Sequence, residues 1–240
     1  HETVYHTQKT IHIISQNLKA HTTNNTYTNK IPKPMVKIAE KPILWHIMNT
    51  YASYDHKEFY IACGYKADYI KNYFINYASL HQDFTVDLSN GGILSHDNNL
   101  SEDWKVTLVD TGLETMTGGR VKRMRDHFDE DETFLLTYGD GLSNINLDLL
   151  INFHKSHKKL VTVSAVRPPA RFGAIKIINN TVRYFKEKSS LDEGWINGGF
   201  FVIEPKFIKL IKSDKTFLEH EPFLKATKKK QMVADLCAYS

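Results

Sequence analysis

Short apolar runs that stop at a glycine, each followed by a stretch with helical spacing, constrain the fold of this chain more than any other feature. Residues 58–63 (EFYIAC) are apolar enough for a buried strand and close at Gly64. Residues 67–77 then carry Tyr69, Ile70, Tyr73, Phe74 and Tyr77 at helical spacing. Residues 133–138 form a second strongly apolar strand, running into Gly139-Asp140-Gly141. A helix over 147–153 and a strand over 160–166 follow, and this alternation predicts parallel βα units. Pro42 opens a helix over 43–51, where a first-turn proline is tolerated. Strands are further predicted over 83–88, 106–109 and 200–203, the last leading into a helix at Glu204-Pro205. The runs 174–178 and 182–185 are joined by Asn179-Asn180, a good two-residue hairpin turn. The antiparallel pieces therefore fall in the second half of one α/β domain.

Composition excludes several classes. With 240 residues and 41% hydrophobic content, the chain is long enough and apolar enough to bury a full core. A net charge of +4 is weak evidence for nucleic-acid binding, so no nucleic-acid partner is expected. No run approaches the ~18 apolar residues of a membrane span. Cys63 and Cys237 make no disulfide framework, and a reducing cytoplasm is the default. Residues 1–30 are polar and lack the apolar core of a secretory signal; after a β-like run over 10–15 comes a Thr- and Asn-rich tract that reads as loop. His1 stands where an initiating Met would, as in a fragment or a processed form. The expected organisation is a divergent N-terminal segment over 1–30, a domain over 31–234 and a divergent tail over 235–240.

Asp140 is the most informative residue. A carboxylate between two glycines, beyond the end of a buried strand, sits where open α/β sheets bind ligands. Such a hard oxygen donor suits Mg²⁺ carrying phosphate oxygens; a tight turn with a solvated Asp competes evenly with that reading. Lys33, between Pro32 and Pro34 on a stiff extended segment, could hold a phosphate as a point charge, although a surface lysine in a linker is the commoner case. Gly118-Gly119 opens the basic run Arg120, Lys122, Arg123 and Arg125, either an anion site at a helix start or a solvated helix face. Glu187-Lys188 suits a polar ligand or is a surface pair, and Asn197 offers an amide to hydroxyls or serves a turn. His154 and His157 lack a third ligand for zinc and read as exposed helix residues. Cys63 reads as core.

Taken in order, Pro32–Met35, Lys41–Met48, Cys63–Lys66, Trp104–Gly112, Thr115–Arg120, Thr137–Gly141, Arg171–Ala174 and Ile196–Val202 resemble the glucose-1-phosphate cytidylyltransferases, within the sugar-1-phosphate nucleotidyltransferase family. The likeness covers about 31–234. It implies a Rossmann-like three-layer α/β/α fold with a mixed, mostly parallel sheet. It also implies the reaction of CTP with α-D-glucose 1-phosphate to CDP-glucose and pyrophosphate, with Mg²⁺, for surface polysaccharide synthesis, by a cytoplasmic homo-oligomer. By that likeness, Lys33 and Asp140 are catalytic, with Lys33 on phosphate and Asp140 on the metal. Thr22, Arg120 and Gly139 bind nucleotide, Arg120 across a subunit contact. Glu187 and Asn197 hold sugar hydroxyls, and Lys188 holds the sugar phosphate. A relative using UTP or dTTP, and a remnant that only binds or oligomerises, are the alternatives.

The resemblance breaks in two main places, with a lesser departure at Ser189, where the family has Pro. The family's glycine loop, Leu-Ala-Gly-Gly-x-Gly-Thr-Arg-Leu, corresponds to Gln16–Asn24, where only Thr22 matches. The family's second metal Asp lies beyond the position of Ala234, and Asp235 does not fall on that motif. A compensated frameshift would explain a matching middle between divergent ends; absence of glycine-loop coding in any frame of the DNA would refute it. Losing one preorganised donor costs about 2.7–4 kcal/mol, or ~10²–10³ in rate. Several are replaced here, so turnover in a radiolabelled CTP assay is expected to be near background, and normal turnover would contradict this.

Overall fold

The computed structural model describes residues 10–14, 31–95, 102–127, 131–167, 174–178, 181–186 and 194–236. The strands are β1 (Thr10–Ile14), β2 (Lys37–Ile38), β3 (Lys41–Pro42), β4 (Glu58–Cys63), β5 (Phe84–Asp87), β6 (Gly92–Ser95) and β7 (Lys105–Asp110). They continue with β8 (Phe134–Tyr138), β9 (Val161–Val166), β10 (Ala174–Ile178), β11 (Thr181–Lys186), β12 (Ile196–Ile203) and β13 (Met232–Asp235). The helices are α1 (Ile43–Ala52), α2 (Ala67–Ile75), α3 (Tyr77–His81), α4 (Thr117–Arg123), α5 (Leu147–His157) and α6 (Glu221–Lys228).

Seven strands form one sheet in the order β13-β9-β12-β8-β1-β4-β7. β1 pairs in parallel with both β4 and β8, β4 with β7, and β13 with β9, while β12 runs antiparallel to β8 and β9. Alternation along the strands sorts the core onto two faces. Leu135, Phe200 and Val202 join Leu44, Ile47, Met48 and Tyr51 of α1, Ile70 of α2, and Leu147, Leu150 and Ile151 of α5. Phe134, Leu136, Phe201 and Ile203 join Val121 of α4, Phe207 and Ile208, and Phe223 and Ala226 of α6. The result is the expected three-layer, mostly parallel Rossmann-like fold.

Several expectations are revised. β1 lies in the middle of the sheet with Ile13 fully buried, so the folded unit includes part of the segment set apart as 1–30. The β-like run read over 10–15 is this strand, but flanking polar tracts conceal that it belongs to the folded domain. The other boundary also moves: Asp235 is the last residue of β13, opposite Ser164 and buried. The helix read over 67–77 breaks at Asn76 into α2 and α3. The stretch after Glu204-Pro205 is a 3₁₀ turn, Pro205–Leu210. β6, α6 and β13 escape sequence inspection because each is short, at most about two turns or four residues. The Asn179-Asn180 turn lies outside the described residues. Among the described residues no helix is long and apolar enough to cross a membrane.

His154 is not an exposed helix residue but 2% exposed. One ring nitrogen meets Thr162 Oγ1 at 2.8 Å and the other Glu204 Oε1 at 3.1 Å. Burial holds its pKa below the usual histidine range, opposed by Glu204. The unfolded chain takes up a proton near pH ~6.5 that the folded chain refuses. The neutral ring's contribution to stability is thus complete above that pH and is lost as the pH falls. Urea titrations from pH 7.5 to 5 should show stability decreasing below about 6.5, with a shallower decrease for His154→Gln.

Candidate functional site

The sheet order reverses at β1: the chain steps from β1 to β4 to β7 on one side, then returns to β8 on the other. A crevice therefore opens at the carboxyl ends of β1 and β8, where doubly wound sheets bind ligands. Gly139 and Asp140 follow β8 directly into it. The segment leaving β1 there is 15–30, which lies outside the described residues, as does Thr22.

Lys33 sits at the same rim, with its Nζ 3.7 Å from Asp140 Oδ2 and side-chain exposures of 40% and 26%. The backbone is extended at Pro32, but Lys33–Met35 is a 3₁₀ turn rather than a continuous extended segment. Pro34 fits that turn because its missing N–H is one that a helix start leaves unpaired. Buried Pro34 and Met35 anchor the turn and project Lys33 toward Asp140. Sequence inspection finds both residues but not their pairing.

Asn197 reaches the rim because β12 is antiparallel and begins where β8 ends. Its exposed side chain accepts the Gly199 N–H at 2.8 Å. Gly199 has φ +85°, and a Cβ there would lie 3.3 Å from the Tyr138 ring, so glycine lets the ring pack flat against the strand. Tyr138 donates to Glu219 Oε1 at 2.5 Å, and Thr117 donates to Oε2 at 2.8 Å. Burial and then the Glu219 charge push the Tyr138 phenol well above its ordinary pKa. Sequence inspection misses Glu219, which lies in a stretch without periodicity far from its partners in the chain.

Arg120 departs from the expectation of a phosphate ligand. Its side chain is fully buried and bonds within its own chain: Nη1 donates to Cys63 O at 3.1 Å and to Thr111 Oγ1, and Nη2 to Gly112 O at 3.0 Å. Burial lowers the guanidinium pKa and raises that of the neighbouring Cys63 thiol to about 11. Nor does Gly118-Gly119 offer a free anion site. Gly119 N–H bonds Thr216 O at 3.2 Å, and a Cβ on Gly118 would lie 2.8 Å from that same oxygen. The glycines let residues 214–218 press onto α4.

Glu187 and Lys188 lie outside the described residues. Among the described residues no three His, Cys, Asp or Glu side chains cluster for a metal. Asp140 alone fits Mg²⁺ only together with phosphate oxygens, the donor set that ion accepts with nucleotides. A cavity of about 690 Å³ lined by Lys122, Arg125, Lys206 and Lys209, with Asp126 and Asp131, lies at the opposite edge, by the start of β8 and the end of β12. Distance from the crevice, not size, removes it from the site.

A nucleotidyl transferase family profile matches residues 26–240. A glucose-1-phosphate cytidylyltransferase of Salmonella typhimurium is 46% identical over 203 residues, 85% of this chain and 79% of that protein. A probable glucose-1-phosphate cytidylyltransferase of Bacillus subtilis is 45% identical over 196 residues, 81% and 76% of the two chains. The crystal structure of HddC from Yersinia pseudotuberculosis superposes with a TM-score of 0.64 at 23% identity, over 95% of this chain and 90% of that one, a likeness of fold.

Removing the Arg120 guanidinium takes the arginine donor from Thr111 Oγ1 and Gly112 O, while Cys63 O keeps the Thr111 N–H and hydroxyl. Arg120→Met is expected to lose about 2–4 kcal/mol of stability by chemical denaturation.

Proposed function

The chain belongs to the nucleotidyl transferase family, and from that premise we propose that its site is built to transfer CMP from CTP to α-D-glucose 1-phosphate, giving CDP-glucose and pyrophosphate. The carrying observation is the convergence of Lys33 and Asp140 at the reversal point of the sheet, with Asn197 on the same rim. The names of the relatives at 45–46% identity supply the choice of nucleotide and sugar.

In this reading a phosphate oxygen of glucose 1-phosphate attacks the α-phosphorus of CTP, and the bond to pyrophosphate breaks. No covalent bond to the protein is required, so the protein positions the substrates and offsets charge. Lys33 and Asp140 face each other across a partly exposed 3.7 Å gap. Such a pair is worth at most about 1 kcal/mol, so substrate can separate it cheaply. Lys33 then turns to phosphate, and Asp140 would hold Mg²⁺ shared with the nucleotide. That ion would supply charge neutralisation at the phosphates. The Gly139 backbone lets the nucleotide approach. Asn197, Glu187 and Lys188 take the sugar phosphate, the last two by the resemblance alone. Homo-oligomerisation and a cytoplasmic location belong to the same reading. Arg120 is left out of the phosphate contacts because its guanidinium is bonded within its own chain.

The residues at 16–24 favour a second reading, a remnant that binds sugar phosphate and turns over poorly, because they lack the glycines that admit a triphosphate. Isothermal titration with glucose 1-phosphate, CTP, UTP and dTTP, with and without MgCl₂, separates the readings. The proposal expects glucose 1-phosphate to bind and CTP to bind better than UTP or dTTP. It also expects Asp140→Asn to abolish the Mg²⁺-dependent part of CTP binding. Glucose 1-phosphate binding without CTP binding supports the remnant, and tighter UTP or dTTP binding refutes the nucleotide assignment.

A further inference from the structure

Ile196 lies opposite Val166 and Asn197 opposite Ala165, so continuing the same register sets Trp195 opposite Arg167 at the outer end of β12 and β9. The Arg167 guanidinium accordingly stacks on the Trp195 ring, 4.8 Å from its centroid. Side chains alternate between the faces of a sheet, which puts Trp195, Asn197, Ala165 and Arg167 on one face. Both members of the stacked pair are exposed, Trp195 by 47%.

Stacking holds a planar guanidinium by its face and leaves its edge N–H groups unused. Arginine carries five such donors and no acceptor. Among the described residues those of Arg167 meet neither a carboxylate nor a hydrogen-bond acceptor, in contrast to Arg120 and Arg123, whose donors are engaged within the chain. Arg167 is therefore oriented by the fold while its donors remain available to a ligand.

Its place in the sheet says which part of a ligand it meets. β8, β12 and β9 are neighbours, and β9 ends at the same rim as β8 because β12 is antiparallel to both. Asp140, Asn197 and Arg167 thus form a row across three strands, about 10 Å from first strand to last. With the α-phosphorus of the nucleotide at Lys33 and Asp140, the phosphate of the sugar phosphate must face β8. The ring then lies by Asn197, and the groups farthest from C1, the hydroxyls on C4 and C6, point toward β9. Diagonal neighbours in such a ladder stand roughly 7–8 Å apart, within reach of a long side chain, so one hexose can meet both Asn197 and Arg167.

We infer that Arg167, held in place by stacking on Trp195, donates to the C4 or C6 hydroxyl of the sugar phosphate and sets the preference for a glucose-configured hexose. The inference rests on the sugar-phosphate reading of this rim.

Titration calorimetry on the full chain tests it. Arg167→Met should weaken glucose 1-phosphate binding about tenfold, the size of one charge-assisted hydrogen bond. Trp195→Ala, which frees the guanidinium, should weaken it in the same direction, and the double variant should be no worse than Arg167→Met because the ring acts through the arginine. Trp195→Phe, which keeps an aromatic face, should stay within about threefold of the wild type. Galactose 1-phosphate differs from the glucose compound at C4 alone, and xylose 1-phosphate lacks only the C6 group. The wild type's preference for glucose 1-phosphate over at least one of them should shrink in Arg167→Met. Affinity for inorganic phosphate, read by competition with glucose 1-phosphate, should not change. Thermal melts check that each variant folds. Unchanged glucose 1-phosphate binding in Arg167→Met overturns the inference, as do an equal loss of phosphate affinity, an unaltered preference among the three sugars, or additive losses in the double variant. A wild-type chain that does not bind glucose 1-phosphate overturns the underlying reading, and the inference falls with it.

Discussion

The pairing of β8 with β1 on one edge and with antiparallel β12 on the other is the constraint on which the rest of this molecule depends. Parallel pairing sends the segments after β1 and β8 out at the same rim. Reversal of the sheet order at that point leaves a crevice between them. β12 contributes its beginning to the rim because it runs the other way. A wholly parallel sheet would place Asn197 at the far edge, beside the cavity lined by Lys122 and Lys206. One reversed strand thus brings to one place residues that lie far apart in sequence.

Much of this framework was legible in the sequence. β4, β8 and the second half of β12 are apolar on both faces, which is what central strands between two helical layers require. Asp140 was legible because a carboxylate between glycines is unusual at a strand end, and Lys33 because proline surrounds it. What escaped was set by contacts distant in the chain. Arg120 and Lys122 sit in one basic run, yet Arg120 is buried and Lys122 is partly exposed and caps Lys212 O at 2.7 Å. A seven-residue helix has too few turns to show which side faces inward. His154 misled in the same way: its burial is decided by Glu204 and Thr162, on elements that helical spacing does not register.

Arg120 shows how magnitudes settle a reading. Burying a cation costs several kcal/mol even after relaxation. Three charge-assisted hydrogen bonds, each worth about 1.5–3 kcal/mol, offset that cost. They go to the ends of β4 and β7 and to the loop after β7. Turning the guanidinium outward to a phosphate would forfeit all three and leave buried acceptors unpaired. The nearby Arg123 repeats the arrangement more cheaply at the surface, donating to Thr111 O at 3.1 Å and pairing with Asp214 at 2.6 Å. The basic run therefore closes the β7 end of the sheet rather than facing the crevice.

The two halves of the rim consequently rest on different kinds of support. Asn197 is carried by a central strand and held by the Gly199 N–H, on a strand that packs into both cores. That half is preorganised before any ligand arrives, so little ordering cost accompanies binding. The other half of the rim is met by 15–30, which lie outside the described residues. The sequence at 16–24 holds no glycine, and among the described residues Lys33 and Asp140 form one charge pair while Arg120 is bonded elsewhere. The Asn197 side of the rim is therefore tied to the fold's own stability, because β12 packs into both cores.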